Sequence, residues 1–293
     1  MAIHERIPSD LLNPAPMSAA LRREIAEQQS RSRFYAVSRE DGSQFRVLVR
    51  QPKMKSDNAP VVLWIHGGAY WTGSSEWIFQ NLANQLADRC LTVAPDYKLG
   101  PYPSGINDCL TTLQWIMDNA VSLGVDTDKL IVGGDSAGGA MAIAVCLYCR
   151  DNNGPKIALQ IPLYPMMDYR MILPSARDNN APAWTSADNR RAWNAYLANV
   201  GNDVPVYASP ALETDYKGLP PCITIAGSIE VFRDETEKYV RDLEAAGVWV
   251  KFKEWPGAYH MFDVQAPESR YAYEARDFFN QAVDYAFKHF IDK

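Results

Sequence analysis

The sequence predicts an α/β fold: a mostly parallel eight-stranded sheet with helices on both faces and a helical cap. Three observations predict it. Short runs of apolar or β-rich residues recur along the 293 residues, and helical patterns separate most of them. Val61-Val62-Leu63-Trp64-Ile65 and its later counterparts are continuous rather than alternating, as strands buried on both faces of a parallel sheet must be. One long insertion, Asp168 to Val206, breaks the alternation and carries Trp184, Trp193 and Tyr196 on a polar background.

Taken in order, Met17 to Ser32 has a helical pattern rich in Arg, Glu and Gln. Arg33 to Arg39 and Gln44 to Gln51 flank Glu40-Asp41-Gly42-Ser43, a hairpin around a turn containing Asp-Gly. A polar stretch, Lys53 to Asn58, leads to the buried run Val61 to Ile65. Helical patterns at Ile78 to Asp88, Ile106 to Leu123, Ala137 to Arg150 and Asp234 to Ala246 are interleaved with apolar runs. Those runs are Leu91 to Ala94, Leu130 to Val132, Ile157 to Ile161, Cys222 to Ala226 and Val248 to Phe252. A terminal helix from Ser269 to Phe290 closes the pattern. Strands joined by crossover helices form a parallel sheet. The expected divisions are 1–32, an N-terminal cap helix segment; 33–167, the first part of the core; 168–206, a cap insertion; and 207–293, the second part of the core. An insertion at the carboxyl edge of such a sheet sits over the crevice where open α/β folds bind ligands.

Composition narrows the function classes. Lys and Arg number 29 against 35 Asp and Glu, a net charge of −6, which leaves no basic surplus for nucleic acid or an anionic bilayer. Met1 to Asn13 has no apolar h-region, and no apolar stretch approaches the length of a membrane span. Five cysteines are an odd count with no small-scaffold framework, so a cytoplasmic protein is expected. Cys146 and Cys149 have CxxC spacing, yet inside an apolar helix they read as core.

Gly134-Asp135-Ser136-Ala137-Gly138 satisfies G-x-S-x-G, with a strand before it and an alanine-rich helix after it. That context is a nucleophile elbow, in which glycines permit a sharp turn and the serine hydroxyl projects at the sheet edge. Without chemistry Ser136 would be an N-cap. Of His4, His66, His260 and His289, the last two lie late enough in the chain to be the base; His289 falls on the terminal helix, so His260 is the choice. Glu230 comes first out of the run Cys222 to Ala226 and is the expected acid, with Asp234 the runner-up. His66-Gly67-Gly68-Ala69-Tyr70 follows a buried strand with small residues where amides must approach an oxyanion, so Gly68, Ala69 and Ala137 are the expected donors. His66 reads as a loop-ordering residue.

These segments, in this order, resemble the hormone-sensitive-lipase-like (bacterial family IV type) esterases of the α/β-hydrolase fold. The likeness rests on His66-Gly67-Gly68-Ala69, Gly134 to Gly139, Glu230-Val231-Phe232-Arg233-Asp234-Glu235 and His260-Met261-Phe262, with support from Gly218-Leu219-Pro220-Pro221 and Asp96-Tyr97-Lys98-Leu99. It implies a carboxylic-ester hydrolase, without metal or cofactor, whose cap combines the N-terminal segment and the insertion. Three departures stand out: Ala69 replaces a usual third glycine, Glu230 stands where Asp is commoner, and Tyr97 to Pro103 is short.

The expected partner is a small-molecule ester of short acyl chain, with no nucleic acid and no membrane; an exposed strand near the C-terminal edge leaves room for a homodimer. Trp71, Trp184 and Trp193 are candidate pocket walls, with cap–core packing as the alternative. A non-catalytic receptor on the same scaffold would be expected to lose a triad member, and an amidase would share the triad, so both stay open at this point.

Overall fold

The computed structural model describes residues 7–54 and 58–292. His4 and residues 55–57 of the polar stretch lie outside the described residues. Eight strands pair into one sheet: β1 (Ser32–Ser38), β2 (Gln44–Arg50), β3 (Ala59–Ile65), β4 (Leu91–Pro95), β5 (Val125–Asp135), β6 (Leu159–Leu163), β7 (Cys222–Gly227) and β8 (Val250–Trp255). Their spatial order is β1-β2-β4-β3-β5-β6-β7-β8. β2 runs antiparallel to both β1 and β4, and every other pairing is parallel.

The apolar runs become central strands because helices cover both faces. One face packs under α2 (Ser104–Asp118), α3 (Ala137–Asp151) and α5 (Arg233–Ala245). The other packs under the segment Ile78–Ala87 and α6 (Arg270–Ala286). In α3 every residue from Ala137 to Leu147 is buried, which is why its sequence is apolar all round. α6 instead buries a stripe of Tyr271, Ala275, Phe279, Ala282 and Ala286 and opens on Ser269, whose hydroxyl accepts from Ala272 N–H.

Several boundaries differ from the sequence expectation for local reasons. Ile78 to Asp88 is two 3₁₀ turns, Ser75–Phe79 and Leu82–Leu86, rather than a helix. Asn81 interrupts it, its side chain accepting from Ala83 N–H while its amide donates to Asp135. The sixth strand begins at Leu159 rather than Ile157, because pairing with β5 starts at Ile131–Leu159. Ile106 to Leu123 breaks at Asn119 into α2 and a single turn.

The N-terminal helix α1 (Ala19–Ser30), which follows a single helical turn at Ser9–Leu12, is anchored by polar contacts. Gln28 Oε1 accepts from the buried Arg50 guanidinium at 2.7 Å, and Glu24 accepts from Asn84 at 3.1 Å. Burial pushes Arg50 down to about 9. The insertion contains helix α4 (Ser186–Tyr196), closed by a reciprocal Thr185–Asp188 capping box.

Candidate active site

β5 delivers its last residue, Asp135, directly to Ser136, and α3 starts at Ala137. Ser136 sits at φ +57°, ψ −119°, an uncommon backbone state held from both sides. Its N–H donates to Leu163 O at 3.0 Å and its C=O accepts from Met166 N–H at 3.0 Å. Gly138 is required by close approach, since a Cβ there would lie 2.0 Å from Ile65 O. The Ser136 hydroxyl does not cap α3. It faces His260 instead, with Oγ 3.0 Å from Nε2.

His260 Nδ1 lies 2.5 Å from Glu230 Oε2, and Glu230 Oε1 accepts from Gly227 N–H at 2.7 Å. A carboxylate only accepts, so the imidazole proton resides on Nδ1 and leaves the Nε2 lone pair toward serine. Phe232 and Tyr164 meet the imidazole edge-on at 4.9 and 5.0 Å, fixing its plane. Ser136, His260 and Glu230 are 6%, 3% and 0% exposed, so the chain of hydrogen bonds is shielded from bulk water.

The other candidates lie elsewhere. Asp234 Oδ2 accepts from Ser175 N–H at 2.8 Å and pairs with Arg233, tying the insertion to α5. His289 stacks on Tyr285 in the C-terminal turn. His66 is buried and stacked on Tyr97 at 4.1 Å, with Nδ1 2.7 Å from Gly67 O; burial holds it down at about 4 and therefore neutral.

The loop after β3 brings small residues beside the elbow. Gly67 N–H is committed to Asp135 Oδ2 at 3.1 Å. The amides of Gly68, Ala69 and Ala137 have no acceptor among the described residues. Gly68 sits at φ +106°, where a Cβ would lie 2.1 Å from Thr72 O. Ala69 at φ +54° and Tyr70 at φ +68° are left-handed despite their side chains. Tyr70 is held there by stacking on Tyr196 at 3.6 Å and by its hydroxyl donating to Met166 O at 3.3 Å.

Of the three tryptophans, Trp71 is half exposed, Trp184 donates its indole N–H to Asn189 Oδ1 at 3.4 Å, and Trp193 is buried against Tyr70 and Tyr196. Asp135 occupies a position that the G-x-S-x-G pattern leaves unspecified, and the sequence expectation gives it no role. Its Oδ1 accepts from Trp64 Nε1 at 3.2 Å and Asn81 Nδ2 at 2.9 Å while its Oδ2 takes Gly67, so one carboxyl joins elbow and oxyanion-side loop. The available signal was a lone carboxylate ending an apolar strand. Tyr164 and Phe232 were missed because nothing local marks their approach to His260. Among the described residues no cluster of His, Cys, Asp or Glu is arranged to hold a metal, and all five cysteines are free and buried. No helix among them is long and apolar enough to cross a membrane. Two cavities, of about 220 and 520 Å³, are lined by none of Ser136, His260 or Glu230.

Elbow, imidazole and carboxylate lie together at the strand ends of a mostly parallel sheet, an arrangement that matches the geometry of a serine-hydrolase site. The α/β-hydrolase fold family matches residues 62–264. Carboxylesterase NlhH of Mycobacterium tuberculosis is 32% identical over 223 residues, covering 73% of this chain and 70% of that one. An arylesterase of Saccharolobus solfataricus is 29% identical over 204 residues, covering 67% and 65%. The crystal structure of esterase LipW from Mycobacterium marinum superposes with a TM-score of 0.83 at 26% identity, over 96% of this chain and 98% of that one. The chain belongs to the α/β-hydrolase fold family, in its hormone-sensitive-lipase-like branch, and is a carboxylesterase-type hydrolase.

Proposed function

We propose that this protein hydrolyses short-chain carboxylic esters, acetyl to butyryl in size, by two-step acyl transfer. The observation that carries the reading is the Ser136 Oγ–His260 Nε2–Glu230 relay, at 3.0 and 2.5 Å, beside three amides with no acceptor among the described residues. Ser136 attacks the ester carbonyl while His260 takes its proton; the oxyanion is held by Gly68, Ala69 and Ala137. His260 then protonates the departing alcohol, and a water it activates releases the acid from the acyl-enzyme. Glu230 holds the imidazole tautomer and stabilises the imidazolium. No step calls for a metal or a cofactor.

Residues 168–206 act as a cap in this reading, supported by contacts from Asn179 to Ile229 and from Tyr196 to Tyr102 on either side of the nucleophile's strand. Five unpaired thiols suit a reducing compartment, and the cytoplasm is the proposed location.

The test is initial-rate hydrolysis of p-nitrophenyl esters from acetate to long chains, with an anilide of the same acyl group alongside, for wild type and Ser136→Ala. Fast cleavage of short esters, reduced by roughly a millionfold in kcat in a folded variant, is the expected result. Absence of ester turnover by folded wild type, or undiminished turnover by Ser136→Ala, sinks the reading.

A further inference from the structure

Two buried donors in the inserted segment have no acceptor among the described residues: the side-chain Nδ2 of Asn189 and the indole Nε1 of Trp193. Asn189 is 0% exposed and Trp193 is 3% exposed. They are four residues apart on α4, so they lie on one face, the face that also buries Ser186, Ala192 and Tyr196. The Asn189 amide is oriented by its Oδ1, which accepts from Trp184 Nε1 at 3.4 Å and leaves the NH₂ group unanswered.

The chain on either side of α4 is tied to loops that flank the elbow. Before α4, Asn179 Nδ2 donates to Ile229 O at 2.9 Å and Ser175 Oγ to Val231 O at 2.9 Å, which ties the segment to the loop after β7. At the end of α4, Tyr196 O accepts from Tyr102 N–H at 2.9 Å and its ring stacks on Tyr70, in the loop after β3. β5, which ends in the elbow, lies between β3 and β7 in the sheet. Trp193 also rests on Tyr70, whose hydroxyl reaches Met166 O, while Met166 N–H holds the Ser136 carbonyl.

Leaving a donor buried and unpaired is costly, and here two sit on one face of one helix. We propose that Asn189 and Trp193 form a donor pair for a second oxygen of the ester, so that preferred substrates carry an ether, hydroxyl or carbonyl oxygen beyond the scissile group. This rests on the esterase reading above and narrows it. The indole N–H cannot accept, so the pair selects lone pairs and disfavours an ammonium group. An all-carbon analogue of the same shape leaves both donors unpaired, which is how a polar site rejects it.

The experiment uses pairs of esters that differ only by exchange of CH₂ for O. On the acyl side the pair is ethyl 3-methoxypropanoate and ethyl pentanoate; on the alcohol side it is 2-methoxyethyl acetate and butyl acetate. The readout is the ratio of kcat/KM within each pair, compared among wild type, Trp193→Phe and Asn189→Asp, because intrinsic ester reactivity cancels in that comparison. Trp193→Phe removes one N–H and keeps an aromatic ring, and Asn189→Asp keeps the acceptor for Trp184 while removing the donor. In at least one pair, each variant is expected to lower the preference for the oxygen-bearing ester by about tenfold relative to wild type. Ratios unchanged in both pairs overturn the proposal, even where all rates fall together, because a purely structural pair or a resident water gives that result. If one variant does not fold, the other decides. Loss of all ester turnover in wild type removes the esterase reading itself, an outcome visible before any ratio is taken.

Discussion

Glu230 and His260 are 30 residues apart in sequence and 2.5 Å apart in space, and the carboxylate's second oxygen is pinned by Gly227 N–H. This clamp leaves Glu230 one free direction, toward the imidazole. Asp234, four residues on, is spent on Ser175 and Arg233. Glu230→Gln is therefore expected to lower kcat by about a thousandfold or more, as loss of the orienting acid does in such relays, while Asp234→Asn stays within about tenfold. Steady-state kinetics on the two purified variants decide it; equal losses would remove the distinction.

Gly68 offers a test of the oxyanion loop. A methyl at this position meets Thr72 O at 2.1 Å on a backbone already at φ +106°, so Gly68→Ala must move the Gly68 and Ala69 amides. Loss of one such donor corresponds to about a hundredfold to a thousandfold in kcat, with KM little changed. A variant that melts like wild type yet keeps full kcat would take these amides out of the mechanism.

Asp135 accepts three hydrogen bonds from Trp64, Asn81 and Gly67 and is wholly buried. An asparagine has one acceptor oxygen and sets an NH₂ group against a donor. Asp135→Asn is expected to cost about 1–3 kcal/mol of stability and to slow kcat by displacing the Gly67 end of the loop. Urea denaturation combined with kinetics checks both; an unaffected enzyme contradicts the linking role.

Asp263 predicts a pH signature. Burial raises its carboxyl from 3.8 to about 6, and Tyr164 donates to it at 3.1 Å. Between those two values the folded protein keeps a proton that the unfolded chain has lost, so this group's contribution to stability falls as pH rises and is constant above about 6. Asp263→Asn lacks the titration and can still accept from Tyr164. Its stability relative to wild type is expected to rise between pH 4 and 6 by roughly 3 kcal/mol and then level off. Asp135, raised to about 6 by burial, is present in both proteins and cancels to first order. Parallel stability curves across that range would show that Asp263 does not titrate there.

Much of this protein was legible along the chain. Continuous apolar runs such as Val61 to Ile65 demand burial on both faces, and a serine between glycines at a strand-to-helix junction can turn in few ways. The scarcity of histidines singled out His260 by elimination, and the order of segments placed Glu230 on the loop after β7. These readings depend on local periodicity, backbone sterics and inventory, which one sequence carries. Tertiary structure alone decided the rest. That Glu230 rather than Asp234 meets the imidazole, that Asp135 joins the elbow to Gly67, and that Trp193 lies buried on Tyr70 are pairings across 30 to 123 residues. Asn81 breaks an expected helix because its amide reaches Asp135, 54 residues away. Hydrogen bonds and ring contacts are set by distance in space, and until the sheet order brings strand ends together no spacing in the sequence expresses it.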